Sequence, residues 1–127
     1  MVAIDLSTSR FDGGLKGTLS WSLGNLSLLA TLNISRNFHL MGIIPSEFGH
    51  LKELQVLDLT WNEFVGSIPV ELGKLKALQV LDLSGNELGG SIPVELGQLK
   101  ALRVLDLSYN FALTGRIPPE FGQLKAL

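Results

Sequence analysis

The 127-residue chain contains no cysteine, which excludes disulfide frameworks, thiolate metal sites and cysteine nucleophiles. Charge is sparse and nearly balanced: charged residues make up 17% of the sequence, and 10 basic against 12 acidic residues leave a formal net charge of −2. The chain therefore lacks the basic footprint of a nucleic-acid binder and the cationic surface that anionic lipids attract. Only two histidines occur, His39 and His50. Neither has an acidic or nucleophilic partner at a useful spacing, so they read as loop residues outside any catalytic or metal centre. Long apolar runs are missing too. Residues 17 to 35 carry no charge, but Ser20, Ser22, Asn25, Ser27, Thr31 and Asn33 interrupt them, where a spanning helix needs about 20 mostly apolar residues. Met1-Val2-Ala3-Ile4-Asp5-Leu6 has neither the basic start nor the small-residue end of a signal peptide. The glycines fall in Gly-x-Ile-Pro and Leu-Gly-x-Leu, which excludes the Gly-rich phosphate cradles.

What the chain has is leucine, at 27 of its 127 positions, within a 46% hydrophobic composition. That is ample apolar surface for an ordered fold, and the length suits one domain. The leucines repeat. Leu54-Gln55-Val56-Leu57-Asp58-Leu59-Thr60-Trp61-Asn62 returns as Leu78 to Asn86 and as Leu102 to Asn110, and Leu29 to Asn37 keeps the same skeleton. The first leucines fall at 29, 54, 78, 102 and 127, giving periods of 25, 24, 24 and 25. Gly42-Ile43-Ile44-Pro45 recurs at Gly66, Gly90 and Gly115, each time followed by Glu, then Leu or Phe, then Gly-x-Leu-Lys.

Each half of the unit has a physical reading. Leu57-x-Leu59 alternates with period 2, as a short strand with one buried face does. Asn37, Asn62, Asn86 and Asn110 close the strands, where an amide can satisfy backbone groups of its own turn and of the neighbouring coil, making a structural ladder. Proline then opens a short helical turn, too short to persist unless Leu72, Leu75 and their equivalents pack inward. One unit cannot bury its own leucines; stacked units can, at about 1.5–3 kcal/mol for each large side chain fully buried.

These residues resemble the leucine-rich repeat family, and within it the plant-type subclass built on LxxLxxLxLxxNxLxGxIPxxLGxL. The resemblance implies an α/β repeat solenoid, a right-handed coil of about five repeats with a concave parallel sheet and short 3₁₀ turns on the convex side. A second short strand is implied in the Gly-x-Ile-Pro half. The expected organisation is one domain over 1–127, with an irregular first repeat at 1–28 and regular repeats at 29–53, 54–77, 78–101 and 102–126. Ser9 stands where Asn is expected and Ser20 where Pro is, and residues 10 to 16 add several positions. Both ends look cut, so the expectation is a fragment without caps, open to end-to-end self-association.

In this pattern the residues flanking the buried leucines form rows on the concave face. One row holds Asp58, Asp82 and Asp106, either a groove for a cation or basic peptide or a structural ladder bonded to neighbouring hydroxyls and amides. A fourth row, Thr8, Arg36, Trp61, Gly85 and Tyr109, is the only one to change character between units. Arginine and aromatics are enriched at binding hot spots, and Gly85 is expected to leave a shallow gap between Trp61 and Tyr109. The Glu and Lys rows of the convex side read as a solvated face with weak ion pairs. Asn25-Leu26-Ser27 and Asn33-Ile34-Ser35 match the N-glycosylation acceptor pattern, with Asn25 the more accessible.

The function that follows is recognition without chemistry. The chain reads as a protein- or peptide-binding module of a receptor-like or secreted protein, extracellular or at the cell surface as part of a longer chain. It is expected to be no enzyme and to use no cofactor, metal or nucleic acid, and this segment is expected not to contact a membrane. Two alternatives stand beside it: a truncated structural piece without its own ligand, and an inhibitor of a cell-wall-degrading enzyme.

Overall fold

The computed structural model describes residues 1–8 and 14–127; Ser9 and most of the irregular insertion after it lie outside the described residues. The chain winds through successive coils of one design: a strand, a second strand, then a five-residue 3₁₀ turn. The first strands are β1 (Val2–Asp5), β3 (Leu29–Asn33), β5 (Val56–Asp58), β7 (Val80–Asp82) and β9 (Val104–Asp106). The second strands are β2 (Lys16–Thr18), β4 (His39–Gly42), β6 (Glu63–Ser67), β8 (Glu87–Ser91) and β10 (Ala112–Thr114). The turns are η1 (Trp21–Asn25), η2 (Ser46–His50), η3 (Val70–Lys74), η4 (Val94–Gln98) and η5 (Pro119–Gln123). Two parallel sheets result, ordered β1-β3-β5-β7-β9 and β10-β8-β6-β4-β2. This is the solenoid with a concave sheet that the repeat implies, including the second strand of each unit.

The core runs between the two sheets and the turns. Leu54, Leu57 and Leu59 from one coil, Leu78, Leu81 and Leu83 from the next, and Leu72, Leu75, Phe48 and Phe64 between them are fully buried. Burial explains why a five-residue turn holds: η3 presses Leu72 into a core supplied by its neighbours, and stacking offsets what isolated helix nucleation costs.

The asparagines tie the coils together. Asn86 Nδ2 donates to Leu59 O of the preceding coil at 2.9 Å and to Leu83 O and Ser84 O of its own, while its Oδ1 accepts from Phe64 N–H at 3.1 Å. Asn110 repeats the arrangement with Leu83 O and Leu88 N–H. Asn62 bonds Ile34 O and accepts from Asn37 N–H, and Asn37 bonds Leu6 O and accepts from Leu15 N–H. All four are buried, and each spends its side-chain amide on backbone groups of its own coil and the preceding one, as buried polar groups must.

Two local residue choices make sense in the structure. Ser20, in place of proline before η1, takes the same extended backbone (φ −76°, ψ 133°) as Pro45 before η2 (φ −63°, ψ 133°), and its hydroxyl accepts from Ser22 N–H at 3.2 Å. The glycine of Leu-Gly-x-Leu is a packing residue. A Cβ at Gly73 would lie 2.5 Å from Glu95 O, and one at Gly49 2.7 Å from Glu71 O, whereas one at Gly122 would meet nothing within 4 Å. Adjacent turns touch backbone to backbone, and only glycine leaves the room.

The convex charges differ from the expected ion pairs. Lys76, Lys100 and Lys125 each turn Nζ back to the carbonyl of the turn glycine, Gly73, Gly97 and Gly122, at 3.3 to 3.4 Å. A lysine there meets the unsatisfied carbonyls at a helical C-terminus. Among the described residues, no helix is long and apolar enough to cross a membrane.

Candidate recognition surface

The register of the first sheet aligns the outward side chains in rows. Ala3, Thr31, Val56, Val80 and Val104 pair in sequence across β1, β3, β5, β7 and β9, and so do Asp5, Asn33, Asp58, Asp82 and Asp106. Parallel strands lie about 4.8 Å apart, so each row is a ladder of like side chains at that spacing.

The aspartates are held. Asp58 Oδ1 accepts from Thr60 N–H at 3.0 Å and from Thr60 Oγ1 at 2.8 Å; Asp82 Oδ1 accepts from Ser84 N–H at 3.1 Å and from Ser84 Oγ at 2.7 Å. Asp106 binds Ser108 in the same way at 2.9 and 2.5 Å. Stabilisation of the charged form by the Ser108 hydroxyl, and then by its backbone N–H, holds the Asp106 carboxyl below the ordinary value, and Ser7 does the same for Asp5. Through these bonds to the residue two positions on, the row leans along the strands toward the hydroxyl row. The structural half of the sequence reading is present; the hydrogen bonds run through Oδ1.

The fourth row is placed differently from the sequence pattern. β5, β7 and β9 end at Asp58, Asp82 and Asp106, so Trp61, Gly85 and Tyr109 stand three residues beyond, on the rim where the chain turns. Arg36, Trp61, Gly85 and Tyr109 all have left-handed backbones, with φ of 63°, 54°, 68° and 57°. The N–H groups of the first three still extend the sheet ladder: Arg36 N–H donates to Thr60 O, Trp61 N–H to Ser84 O and Gly85 N–H to Ser108 O at 2.8 to 3.0 Å. A left-handed backbone suits glycine and strains an L side chain. Three of these four positions nevertheless carry large side chains.

The expected gap at Gly85 is filled. A Cβ at Gly85 would sit 2.5 Å from Trp61 Cε3 and 2.6 Å from Trp61 Cδ2, because the indole lies across the glycine. The ring spans the whole coil and reaches Tyr109, with ring centroids 5.5 Å apart and planes at 35°. Tyr109 in turn meets Phe111 edge-on, at 6.3 Å and 83°. The result is a continuous aromatic strip whose members remain open to solvent: Trp61 is 44% exposed, Tyr109 59% and Phe111 91%.

Phe111 is absent from the sequence reading, yet a signal for it exists. The two 25-residue units are those with a phenylalanine directly after the ladder asparagine, Asn37-Phe38 and Asn110-Phe111, where the 24-residue units have Asn-Glu. The extra residue is an exposed aromatic in both cases. The remaining candidates fall apart in space. Asn25 ends η1 on the exposed turn side, while Asn33 lies within β3, half-buried, its Oδ1 accepting from Ser35 N–H at 3.0 Å. His39 begins β4 and His50 ends η2, both exposed and on different elements. Among the described residues, no group of three or more acidic or histidine side chains could hold a metal ion.

Comparison with known proteins agrees with this architecture. Two leucine-rich repeat family models match residues 64–111 and 101–124. The ectodomain of the Arabidopsis thaliana membrane receptor kinase GASSHO1/SCHENGEN3, solved with CASPARIAN STRIP INTEGRITY FACTOR 2, is 39% identical at a TM-score of 0.89, over 98% of this chain and 14% of that one. The Arabidopsis receptor kinase HAESA, solved with the peptide hormone IDA and the co-receptor SERK1, gives 39% identity and a TM-score of 0.89 over 98% of this chain and 20% of that one. A BIR3–SERK2 complex from Arabidopsis thaliana gives 41% and 0.78, over 85% of this chain and 57% of that one. The chain thus spans a fifth or less of the two larger ectodomains. No curated protein sequence matches it.

Proposed function

The chain belongs to the leucine-rich repeat family, and from that premise we propose that it is a recognition module binding a protein or peptide on its concave sheet and rim, outside the cell. The observation that carries this is the exposed aromatic strip on a rigid scaffold. Five parallel strands fix the rows at regular spacing, so the surface is organised before a partner arrives, and preorganisation lowers what binding costs in entropy. The similar HAESA ectodomain, solved with a peptide hormone and a co-receptor, supports the reading, as do the sequons at Asn25 and Asn33 for an extracellular setting.

The reading is tested with a phage-displayed library of random dodecamers selected on the purified chain. Val80→Lys, which places a charged stem in the middle of the concave face, is expected to abolish binding of the selected peptides, while Lys76→Ala on the convex side leaves it unchanged. Binding lost at Lys76 and kept at Val80 overturns the proposal.

A further inference from the structure

We infer that the rim formed by Trp61, Gly85 and Tyr109 is a platform for an arginine side chain of an extended peptide, with Asp82 and Asp106 as its counter-charges; this rests on the concave recognition reading. The platform is the first ground. Trp61 and Tyr109 keep large rings at left-handed backbone positions, φ 54° and 57°, where glycine would be unstrained. Such strain is a cost that the surrounding structure must offset at each residue. Burial offers little in return, since both rings are about half exposed. Gly85, with φ 68°, marks the relaxed choice at the same position, and its missing side chain is what lets the indole lie down and reach Tyr109.

Charge selects the occupant. Three residues inward from the rim, at most about 10 Å along the chain, Asp82 and Asp106 lean toward it through their bonds to Ser84 and Ser108. A guanidinium stacks flat on aromatic faces and pairs with carboxylates, combining both features in one side chain. An ammonium gains less from a planar strip, and an anionic or purely apolar side chain would leave the carboxylates opposed or unused. Arg36 occupies the rim one coil before Trp61, and Arg103 lies one residue before β9. The ligand's arginine is thus directed to the Gly85–Tyr109 stretch, away from Arg36, and to the rim side of the sheet, away from Arg103.

The experiment uses the full chain carrying Trp21→Phe, so that Trp61 is the one remaining tryptophan. A blocked hexapeptide with one central arginine is titrated against the same peptide bearing citrulline, a neutral isostere, or glutamate. The arginine peptide is expected to perturb Trp61 emission and to bind about fivefold more tightly than the citrulline peptide. By calorimetry, Trp61→Gly and Asp106→Asn should each remove that preference, and Lys76→Ala should not. Trp61→Gly should melt at the same or a higher temperature, because it relieves the left-handed strain while deleting the ring. Equal binding of the arginine and citrulline peptides, or a preference that survives both Trp61→Gly and Asp106→Asn, overturns the inference. If all three peptides bind alike and all weaken in Trp61→Gly, the arginine inference fails while concave recognition stands. If only Lys76→Ala weakens them, both fail.

Discussion

Trp61 and Gly85 are fitted to one another across adjacent coils: the indole of one occupies the volume that a side chain on the other would need. The contact is the reason two aromatics separated by a full coil behave as one surface. It also converts what the sequence presents as a vacancy between Trp61 and Tyr109 into the mid-section of a continuous strip.

Gly85→Ala is expected to destabilise the chain by about 1–2 kcal/mol, the cost of a left-handed backbone with a Cβ, and to displace the indole. In the Trp21→Phe background the emission of Trp61 should shift toward that of a freely solvated indole. An unchanged spectrum would show that the ring does not rest on residue 85.

The turn glycines should separate by their neighbours. Gly73→Ala drives a Cβ against the backbone of η4 at Glu95 and is expected to cost about 2 kcal/mol or more, as overpacking against an element that cannot move aside does. Gly122→Ala meets nothing and, with the better helical propensity of alanine, should be neutral or slightly stabilising. Urea denaturation of the two variants decides, and equal losses would contradict the packing account.

Asn86→Ala removes the donor to Leu59 O, Leu83 O and Ser84 O and the acceptor for Phe64 N–H. Orphaned buried backbone groups cost about 1–3 kcal/mol each, so a loss of about 2–5 kcal/mol is expected, with hydrogen exchange accelerated at Phe64. Exchange at Phe64 that stays slow would mean that the ladder is dispensable.

Ser108→Ala should raise the Asp106 pKa toward its ordinary value of 3.8, because the Ser108 hydroxyl is the larger of the two influences that lower it. A carboxyl depressed in the folded state stabilises the fold above the unfolded pKa and loses that contribution as pH falls through the folded one. Wild-type stability should therefore decline below about pH 4, and this decline should be shallower in the variant. Carboxyl carbon NMR titration of Asp106 reads the shift directly; identical titrations would assign the depression elsewhere.

Expressed through a secretory host, the chain is expected to carry a glycan at Asn25 and little or none at Asn33. Asn25 is exposed at the end of η1, whereas Asn33 is engaged within β3 by Ser35 N–H. Peptide mapping by mass spectrometry checks this, and occupancy at Asn33 alone would reverse it.

The sequence by itself determined the coil. Leucines at a period of 24 to 25 residues cannot be buried within one unit, so stacking is the one arrangement that shields them, and the alternation around Leu57 and Leu59 fixes which side chains face out. The alignment of Asp58 with Asp82 and Asp106, and of Val56 with Val80 and Val104, follows from that period alone. The tertiary structure decided what depends on one coil meeting the next. That Gly73 makes room for the Glu95 backbone, that Lys76 turns to a carbonyl and that Trp61 lies over Gly85 are contacts between residues more than twenty positions apart, or choices among rotamers, and no local pattern encodes them. The left-handed turn at Arg36, Trp61 and Tyr109 is hidden for a related reason. Local preference at those residues opposes it, and the sheet hydrogen bonds on either side, from Trp61 N–H to Ser84 O and from Gly85 N–H to Ser108 O, impose it.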